Sequence, residues 1–351
     1  RPWAMRERLE PVEDDDERDL SHITAVIPAR NEAATIARTV SALRAQGTGL
    51  RILVVDDESD DDTAGRAVDA GGEAVTVIAG EPLPEGWTGK LWAMEQARTR
   101  ARTSCMLLLD ADIELRPGMI AALQDCMRGG SRALVSVMAR LRMATPWERL
   151  LMPAFVWFFA LLYPFGLVNR PGNRFAAAAG GCMLIETRWL QRIGGFGSLR
   201  DAVIDDCTLA ALVKRAGGST WVGLTRGAVS HRAYHRLADI HEMVARTAFA
   251  QLRYSWTLLT ACTLLMLAAF PAPWVGLLAG GPVTRAAGAG AILLPLALYL
   301  PTLRYYGISP AWSLGLPVAG CLYLGMTLSA ALRHARGIRA RWRGRTYSAR
   351  P

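Results

Sequence analysis

The sequence predicts an α/β fold, with a mostly parallel sheet flanked by helices, followed by a C-terminal region of transmembrane helices. From Ile23 onward, short apolar runs rich in β-branched residues alternate with helical patterns, which is typical of repeated strand-helix-strand units. After Trp256 the chain contains three long apolar stretches. With 351 residues it is long enough for one large domain and a further region.

The strands of the predicted sheet are short, and each ends at a polar loop. Helices are predicted to begin after Asn31, Asp62, Thr88 and Pro117, where a capping residue or a proline supplies a start signal. In open α/β sheets, ligands bind beyond the carboxyl ends of the strands, so acidic residues at these ends are the first candidates for a site. The predicted strands are Ile23–Ile27, Arg51–Val55, Ala74–Ala79, Cys105–Leu109, Ala133–Val137 and Cys182–Glu186.

The formal net charge of +9 is concentrated at the C-terminus, where seven arginines lie between Arg333 and Arg350 with no acidic residue among them. An arginine-rich tail beside an apolar segment indicates contact with anionic lipid headgroups, so no nucleic acid partner is expected. The acidic run Glu13 to Asp19 predicts a solvated linker over residues 1–21. Because the chain begins at Arg1 rather than Met, the sequence allows for a preceding segment such as a membrane anchor.

Hydrophobic residues make up 51% of the chain, and they are concentrated in four segments. Residues 147–168 are rich in aromatic residues and lie inside the α/β pattern, which favours a helix lying in the membrane interface. Three later segments have lengths that suit transmembrane helices, and they cover residues 257–280, 286–302 and 312–332.

These segments divide the chain into an α/β domain, a transmembrane region and a basic tail, at residues 22–256, 257–333 and 334–351. The six cysteines are scattered without a C-x-x-C pair, which is typical of reduced, buried thiols. We therefore expect a multi-pass protein of the inner membrane whose α/β domain faces the cytoplasm. Three crossings from that side would place the arginine-rich tail outside, against the positive-inside tendency.

The first acidic cluster is Val55-Asp56-Asp57-Glu58-Ser59, at the end of the second predicted strand. A carboxylate at a strand end can accept hydrogen bonds from a nucleobase or from ribose hydroxyls, although such residues are also common as helix caps. The loop Pro28-Ala29-Arg30-Asn31-Glu32 closes the first strand and would lie beside this cluster. Ala29, Arg30 and Glu32 are therefore candidates for contacts to the base, ribose or diphosphate.

The second cluster is Asp110-Ala111-Asp112, a D-x-D sequence at the end of an apolar strand. Two carboxylates at this spacing can bind one hard cation, Mg²⁺ or Mn²⁺, which in turn holds a diphosphate and neutralises the leaving group. A D-x-D sequence also occurs by chance in capped turns. Here the apolar strand before it and Pro117-Gly118 after it favour a functional site.

The third cluster is Asp205-Asp206, where a helical pattern begins. A carboxylate at a helix N-terminus stays ionised at neutral pH and could remove a proton from an acceptor hydroxyl, but an ordinary helix cap explains it equally well in isolation.

Further candidates carry positive charge or lie at the start of the apolar region. Thr88-Gly89-Lys90 offers an ammonium group to a phosphate, but it lacks the upstream glycine of a Walker loop. His231, His235 and His241 lack the order and the fourth ligand of a closed zinc site, and His231 is better placed near a diphosphate.

Gln251-Leu252-Arg253-Tyr254-Ser255-Trp256 precedes the first apolar segment. Arg253 could meet a diphosphate, and Trp256 could stack against a sugar or mark the membrane interface. Arginines and aromatic residues are expected at any membrane boundary, so this pattern alone does not decide between the two interpretations.

Taken in order, these motifs resemble those of the family 2 glycosyltransferases, which have the GT-A fold. Within them, the arrangement is similar to the hopene-associated glycosyltransferases of the HpnB type, through GWTGKLWA, DDCTLA and QLRYS. The motifs that carry the resemblance are PARNEAATI, VVDDESDD, GKLWAMEQA, LLLDADIEL, AGGCMLIE, IGGF, IDDCTLA and QLRYSW, and they cover residues 22 to 256.

The resemblance implies a nucleotide-sugar donor, by family default a UDP-sugar, and a hopanoid-related lipid acceptor. Asp56 or Asp57 would hold the nucleoside together with the first loop. Asp112, with Asp110, would engage the metal and the sugar diphosphate.

The resemblance also implies a general base, Asp206, at the position of the aspartate in the family's E-D pair. Asp205 replaces the usual glutamate of that pair, so its role is open. The family's Q-x-x-R-W motif corresponds to Gln251, Arg253 and Trp256 with altered spacing, which argues against processive polymer synthesis.

The mechanism we expect is a single, inverting displacement at the anomeric carbon, because the clusters offer one candidate base and no second nucleophile. A polyprenyl-phosphate glycosyltransferase would use the same core and membrane region with a different acceptor. A non-catalytic scaffold that binds nucleotide sugars would have lost the acidic residues, which are all present here.

Overall fold

The computed structural model describes residues 2–13, 18–342 and 345–348, and these form two units. The first, which we call the sheet unit, comprises Arg6–Arg142 and Tyr163–Arg232. The second, the helical unit, comprises Arg1–Met5, Met143–Leu162 and Ala233–Pro351. The division differs from the predicted boundary at residue 256, because the segment from Ala233 onward packs with the apolar helices.

The sheet unit contains eight strands and most of the shorter helices. Its strands are β1 (Ile23–Ala29), β2 (Arg51–Asp56), β3 (Val75–Ala79), β4 (Cys105–Leu109), β5 (Ile113–Leu115), β6 (Leu134–Arg140), β7 (Cys182–Glu186) and β8 (Thr220–Ser230). Its helices are α1 (Ile36–Arg44), α2 (Thr63–Gly71), α3 (Gly89–Arg100), α4 (Met119–Gly129), α6 (Phe165–Val168), α7 (Thr187–Arg192) and α8 (Asp205–Arg215).

The eight strands form one mixed sheet in the order β3-β2-β1-β4-β7-β6-β8-β5. Strands β3, β2, β1 and β4 are parallel, and so are β6 and β8. Strand β7 runs antiparallel to both β4 and β6, and β5 runs antiparallel to β8. The α/β prediction is confirmed, and all six predicted strands are present within two or three residues.

The expectation of a mostly parallel sheet is confirmed, because six of the eight strands run in the same direction and only β7 and β5 run in the opposite one. Strand β7 is apolar on both faces, as a buried parallel strand would be, so its sequence gives no sign of its direction. Strand β8 was not predicted, although Thr220–Ser230 is almost entirely buried.

The core lies on both faces of the sheet. On one face, α1, α2 and α4 bury residues such as Ile36, Ala67 and Ile120 against β1, β2 and β4. On the other face, α3 and α8 bury Leu91 and Leu209 against the alternate residues of the same strands. Each central strand is therefore covered by helices on both sides, which leaves its polar carboxyl end as the part open to a ligand.

Part of the predicted N-terminal linker belongs to the sheet unit. Leu9 N donates to Leu224 O at 2.9 Å, and Leu224 N donates to Glu7 O at 2.8 Å, so this segment extends along β8. Val12 N also donates to Gly118 O at 3.3 Å. The solvated linker is therefore incorrect for residues 7–12, while residues 14–17 of the acidic run lie outside the described residues.

The helical unit contains the long apolar helices. Its helices are α5 (Pro146–Leu162), α9 (Leu237–Gln251), α10 (Trp256–Ala269), α11 (Pro271–Ala279), α12 (Pro282–Tyr306) and α13 (Leu316–Ala335), followed by the hairpin β9 (Ile338–Trp342) and β10 (Arg345–Ser348). The described residues include four helical segments long and apolar enough to cross a membrane, which are Pro146–Val168, Trp256–Ala279, Pro282–Tyr306 and Pro310–Ala335. The last three correspond to the predicted transmembrane segments.

An aromatic cluster joins α5, α12 and α13 to Phe270, which lies between α10 and α11. Its rings meet edge to face, with centroid distances of 5.7 Å between Trp157 and Tyr299, 6.0 Å between Phe158 and Phe270, and 5.4 Å between Phe158 and Tyr323. The Tyr323 hydroxyl donates to Leu151 O at 2.7 Å, so its polar end is satisfied. The cysteines also include one in this unit that was wrongly expected to be buried, since Cys321 is exposed on α13.

A buried glutamate fixes the start of α5. Glu148 is fully buried, and its carboxylate accepts the backbone N–H groups of Ala144, Thr145 and Tyr234 at 2.8, 2.9 and 2.8 Å. One side chain thus satisfies the N-terminus of α5 and also ties it to the segment that precedes α9.

We expect Glu148→Ala to lower the stability of the helical unit by on the order of 3 kcal/mol, because three N–H groups in partly buried bonds would lose their acceptor. Thermal unfolding of the detergent-solubilised protein measures this loss. Glu148→Gln keeps one acceptor oxygen and should lose less. Equal unfolding temperatures for Glu148→Ala and the parent protein would show that these bonds contribute little.

Candidate active site

The carboxyl ends of the parallel strands lie along one edge of the sheet. In the register of β1 and β2, Ala29 pairs with Asp56, and Asp56 pairs in turn with Ala79 of β3. On the other side of β1, Val26 pairs with Leu108 of β4, two residues before Asp110. The first two acidic clusters therefore follow β2 and β4, the two neighbours of β1, at the same edge of the sheet.

The D-x-D sequence forms a turn held by backbone bonds from three directions. Asp110 N donates to Gly181 O at 3.1 Å, and His231 N donates to Asp112 O at 2.9 Å. Between them, the Thr39 hydroxyl of α1 donates to Ala111 O at 2.9 Å. The backbone beneath both carboxylates is thus fixed by the fold, as a ligand-binding site requires.

Lys90 connects the second and third acidic clusters. Its ammonium nitrogen lies 2.8 Å from Asp110 Oδ1 and 3.5 Å from Asp205 Oδ2. Burial alone would lower the pKa of Lys90, but the negative charges of Asp110 and Asp205 outweigh this effect and raise the pKa. Lys90 therefore stays charged and neutralises carboxylates from both clusters. Its predicted contact with a phosphate stays a prediction.

Asp206 lies in the first turn of α8, beside Asp205. Its Oδ2 accepts Gly180 N at 2.8 Å, and its Oδ1 accepts Cys207 N at 2.7 Å. Burial and the neighbouring charge of Asp205 raise the pKa of Asp206 to about 6, although the two N–H groups and Lys90 act in the opposite direction. Its carboxylate is thus ionised at neutral pH and basic enough to accept a proton.

A second cation joins the D-x-D turn to the first loop. Arg232 Nη2 donates to Glu32 Oε1 at 2.8 Å, and Arg232 Nε lies 3.6 Å from Asp112 Oδ2. The Ser230 hydroxyl donates to the same Asp112 oxygen at 2.6 Å. Ser230 and Arg232 were not among the predicted residues, since their strand β8 was not recognised.

The first loop and the Asp56-Asp57 cluster are bonded to each other. Asp57 N donates to Ala29 O at 2.8 Å, and the Arg30 guanidinium donates to Asp57 O. Asp57 is buried, whereas Asp56 is partly exposed and accepts the Ser59 hydroxyl. Of the two aspartates, Asp56 is therefore more accessible to a ligand, and Arg30 holds the two loops together.

His231 lies next to the D-x-D turn, as its predicted role near a diphosphate requires. Its Nε2 is 2.6 Å from Glu114 Oε2, and its Nδ1 is 2.8 Å from Arg38 Nη1. The imidazole ring thus lies between the carboxylate of Glu114 in β5 and the guanidinium of Arg38 in α1.

The remaining predicted residues, Gln251, Arg253 and Trp256, belong to the helical unit. Gln251 ends α9, Arg253 lies in the following turn with a φ of 54°, and Trp256 begins α10 with 53% of its surface exposed. Their predicted contact with the diphosphate stays a prediction.

Asp110 and Asp112 are the residues that suit a divalent cation. Within the part of the chain that the structure describes, no three His, Cys, Asp or Glu side chains are grouped to hold a metal ion. Two carboxylates are nevertheless a suitable set for Mg²⁺ or a similar hard cation, which often takes its other ligands from substrate phosphates and water. The donor set therefore fits a cation that binds together with a diphosphate.

The fold and part of the sequence are similar to those of known proteins. The mannosyltransferase PcManGT from Pyrobaculum calidifontis, solved in complex with GDP-Man and Mn2+, matches 93% of this chain over 90% of its own, with a TM-score of 0.56 and 18% identity. Residues 24–194 match the family described as Glycosyl transferase family 2. The fold is that of the GT-A glycosyltransferases. The family match covers just under half of the chain.

Two curated proteins are similar in sequence to part of this chain. The 4,4'-diaponeurosporenoate glycosyltransferase of Staphylococcus haemolyticus (strain JCSC1435) is 28% identical over 36% of this chain, and that of Staphylococcus aureus (strain MRSA252) is 32% identical over 33%. The alignments span 34% and 31% of these relatives, about a third of their length.

We expect the rate of sugar transfer to fall as the pH decreases through about 6, because protonation removes the basic form of Asp206. Lys90→Met should move this acid limb to higher pH, since the positive charge of Lys90 lowers the pKa of Asp206. Lys90→Arg keeps the charge and serves as the matched control. The pH-rate profiles of the three proteins measure the effect, and identical profiles would contradict the role given to Lys90.

Proposed function

We propose that the protein transfers a sugar from a nucleotide diphosphate donor to a lipid acceptor, by a metal-assisted, inverting displacement. The observation that carries this proposal is the linkage of separate acidic segments by two cations. Lys90 joins Asp110 to Asp205, and Arg232 joins Asp112 to Glu32. This arrangement supports the proposal, because it brings carboxylates from separate segments together at one edge of the sheet.

The donor is proposed to bind along the ends of β1, β2 and β4. Asp56 accepts hydrogen bonds from the base or ribose, and the loop of Ala29, Arg30 and Glu32 closes this side of the site. The relatives support a nucleotide-sugar donor, since PcManGT was solved with GDP-Man. The family resemblance favours a UDP-sugar.

The divalent cation is proposed to be held by Asp110 and Asp112. When bound, Mg²⁺ or Mn²⁺ supplies positive charge that stabilises the departing diphosphate. The chain itself fixes the backbone of both aspartates and keeps Asp112 oriented through the Ser230 hydroxyl. Arg253 is proposed to add positive charge on the diphosphate side, and His231, Gln251 and Trp256 are proposed to lie on the diphosphate or acceptor side.

Asp206 is proposed to be the general base. Its carboxylate takes the proton of the acceptor hydroxyl as the acceptor oxygen forms a bond to the anomeric carbon. The bond between that carbon and the diphosphate oxygen breaks on the opposite side, and the nucleoside diphosphate leaves. Asp205 contacts Lys90 and raises the pKa of Asp206, so we assign it an electrostatic role.

The acceptor is proposed to be an apolar lipid, with a hopanoid-related lipid as the first candidate from the family resemblance. The helical unit exposes many large apolar side chains, among them Leu264, Leu265, Leu278 and Leu293. The two relatives are named for 4,4'-diaponeurosporenoate, which supports a lipid acceptor. We place the protein in the inner membrane, with its sheet unit facing the cytoplasm.

We expect Asp206→Asn to reduce kcat by about a thousandfold, because the amide cannot accept the acceptor's proton. Donor affinity should change little, since the cation and nucleoside contacts remain. Asp69→Asn, at an exposed position of α2, is the matched control and should keep full activity. Full turnover by Asp206→Asn would refute the assignment of the base.

We expect membranes containing the protein to transfer label from one of a panel of radioactive nucleotide sugars to an extractable lipid. EDTA should abolish transfer, and Mn²⁺ or Mg²⁺ should restore it, because the diphosphate contact is lost without the cation. Label in a hopanoid would support the proposed acceptor, whereas label in a polyprenyl phosphate would identify that lipid as the acceptor instead. Label in no lipid, with all donors present, would overturn the proposal.

A further inference from the structure

The strands on either side of α5 restrict the path of that helix. β6 and β7 are paired in the same sheet, with Leu134 opposite Ile185 and Ser136 opposite Met183. The chain between them therefore leaves and re-enters a folded unit on one side of any membrane. The segment Pro146–Val168 is the one apolar helical segment between these strands, all of whose residues are described, so it does not cross despite its length.

The beginning of α10 and the end of α13 lie together. Arg333 near the end of α13 forms a two-bond ion pair with Glu242 of α9, at 2.6 and 2.7 Å. The next residue, His334, stacks on Tyr254 with ring centroids 4.5 Å apart, two residues before α10 begins. A charged pair of this kind belongs at the aqueous face of a membrane rather than in its hydrocarbon core.

Helices α10 and α13 run in opposite directions along each other. Leu259, early in α10, packs with Ala330 and Ala331, late in α13. Phe270, just after α10, lies against Gly320, early in α13, where an added Cβ would come within 2.5 Å of the ring. One helix therefore leads away from the face marked by Arg333, and the other leads back to it.

The connection between these two helices adds no net crossing. It begins at Phe270 and ends at Gly320, which are in contact. Helices α11 and α12 form a hairpin within it, where Gly288 lies against the backbone of Pro273 and Leu277. Three apolar segments follow α9, yet the path from Trp256 to Arg333 returns to the face from which it started.

We propose that the chain crosses the membrane an even number of times, so that the arginine-rich tail after Arg333 faces the same compartment as the sheet unit. Its partner there is the anionic headgroup layer of that leaflet. This arrangement agrees with the positive-inside tendency, which three crossings would break. The proposal rests on the membrane association in the proposed function and does not depend on sugar transfer.

The experiment compares two epitopes, one inserted in the exposed turn at Gly130 and one placed after Pro351. Protease is added to right-side-out and inside-out membrane vesicles from cells that make the full chain. We expect both epitopes to be cleaved in the same vesicle orientation. Cleavage in opposite orientations would overturn the proposal. The inactive Asp206→Asn protein should give the same pattern, so failure of transfer and failure of the topology are distinguishable.

A cross-linking test checks the contact between Glu242 and Arg333, on which the proposed topology depends. Glu242→Cys with Arg333→Cys should be joined in membranes by a flexible bis-maleimide reagent, because the reagent spans the distance that the parent side chains bridge. Glu242→Cys with Ser313→Cys, just before the other end of α13, is the matched control and should not. Absence of the first cross-link, or a stronger cross-link in the control, would overturn the antiparallel path.

Discussion

The ion pairs of Lys90 are the interaction on which the site depends. Asp110 follows β4, whereas Asp205 and Asp206 begin α8, and three carboxylates brought close together repel one another unless a cation lies between them. Lys90 lies 2.8 Å from Asp110 and 3.5 Å from Asp205, so its charge makes this approach possible. It also keeps the pKa of Asp206 from rising further, which leaves that carboxylate ionised at neutral pH.

The sheet order explains why these groups meet. Strand β7 lies between β4 and β6, and it enters from Gly180 and Gly181, whose backbone bonds hold Asp206 and Asp110. An added Cβ at Gly180 would approach the Asp206 carboxylate to 3.1 Å, so the absence of a side chain there leaves room for the base. Because β7 is antiparallel to β4, its first residue lies beside the end of β4. The bond from Gly180 therefore holds Asp206 of α8 near the edge at which the parallel strands end.

The sequence predicted the parts of the site that depend on local order along the chain. Apolar runs ending in acids located Asp56, Asp110 and Asp112, because strand ends in an α/β fold share one edge. Strand direction and ion-pair partners depend on distant segments, so neither the antiparallel β7 nor the bonds of Arg232 could be derived. The mostly apolar run in Thr220–Ser230 was a signal for β8, and recognising it would have placed Arg232 just beyond the end of that strand.

Ion pairs lie both at the site and at the membrane face. In both places they are better explained by the charge or position that they fix than by a gain in stability. Burying an ion pair gains little stability, since desolvation offsets the attraction between the charges. The presence of Lys90 beside its aspartates is therefore better explained by the charge balance of the site than by a gain in stability. The pair of Arg333 and Glu242 is more exposed and fixes where two helices meet water. In a region made mostly of interchangeable apolar residues, such a pair is what distinguishes one membrane path from another.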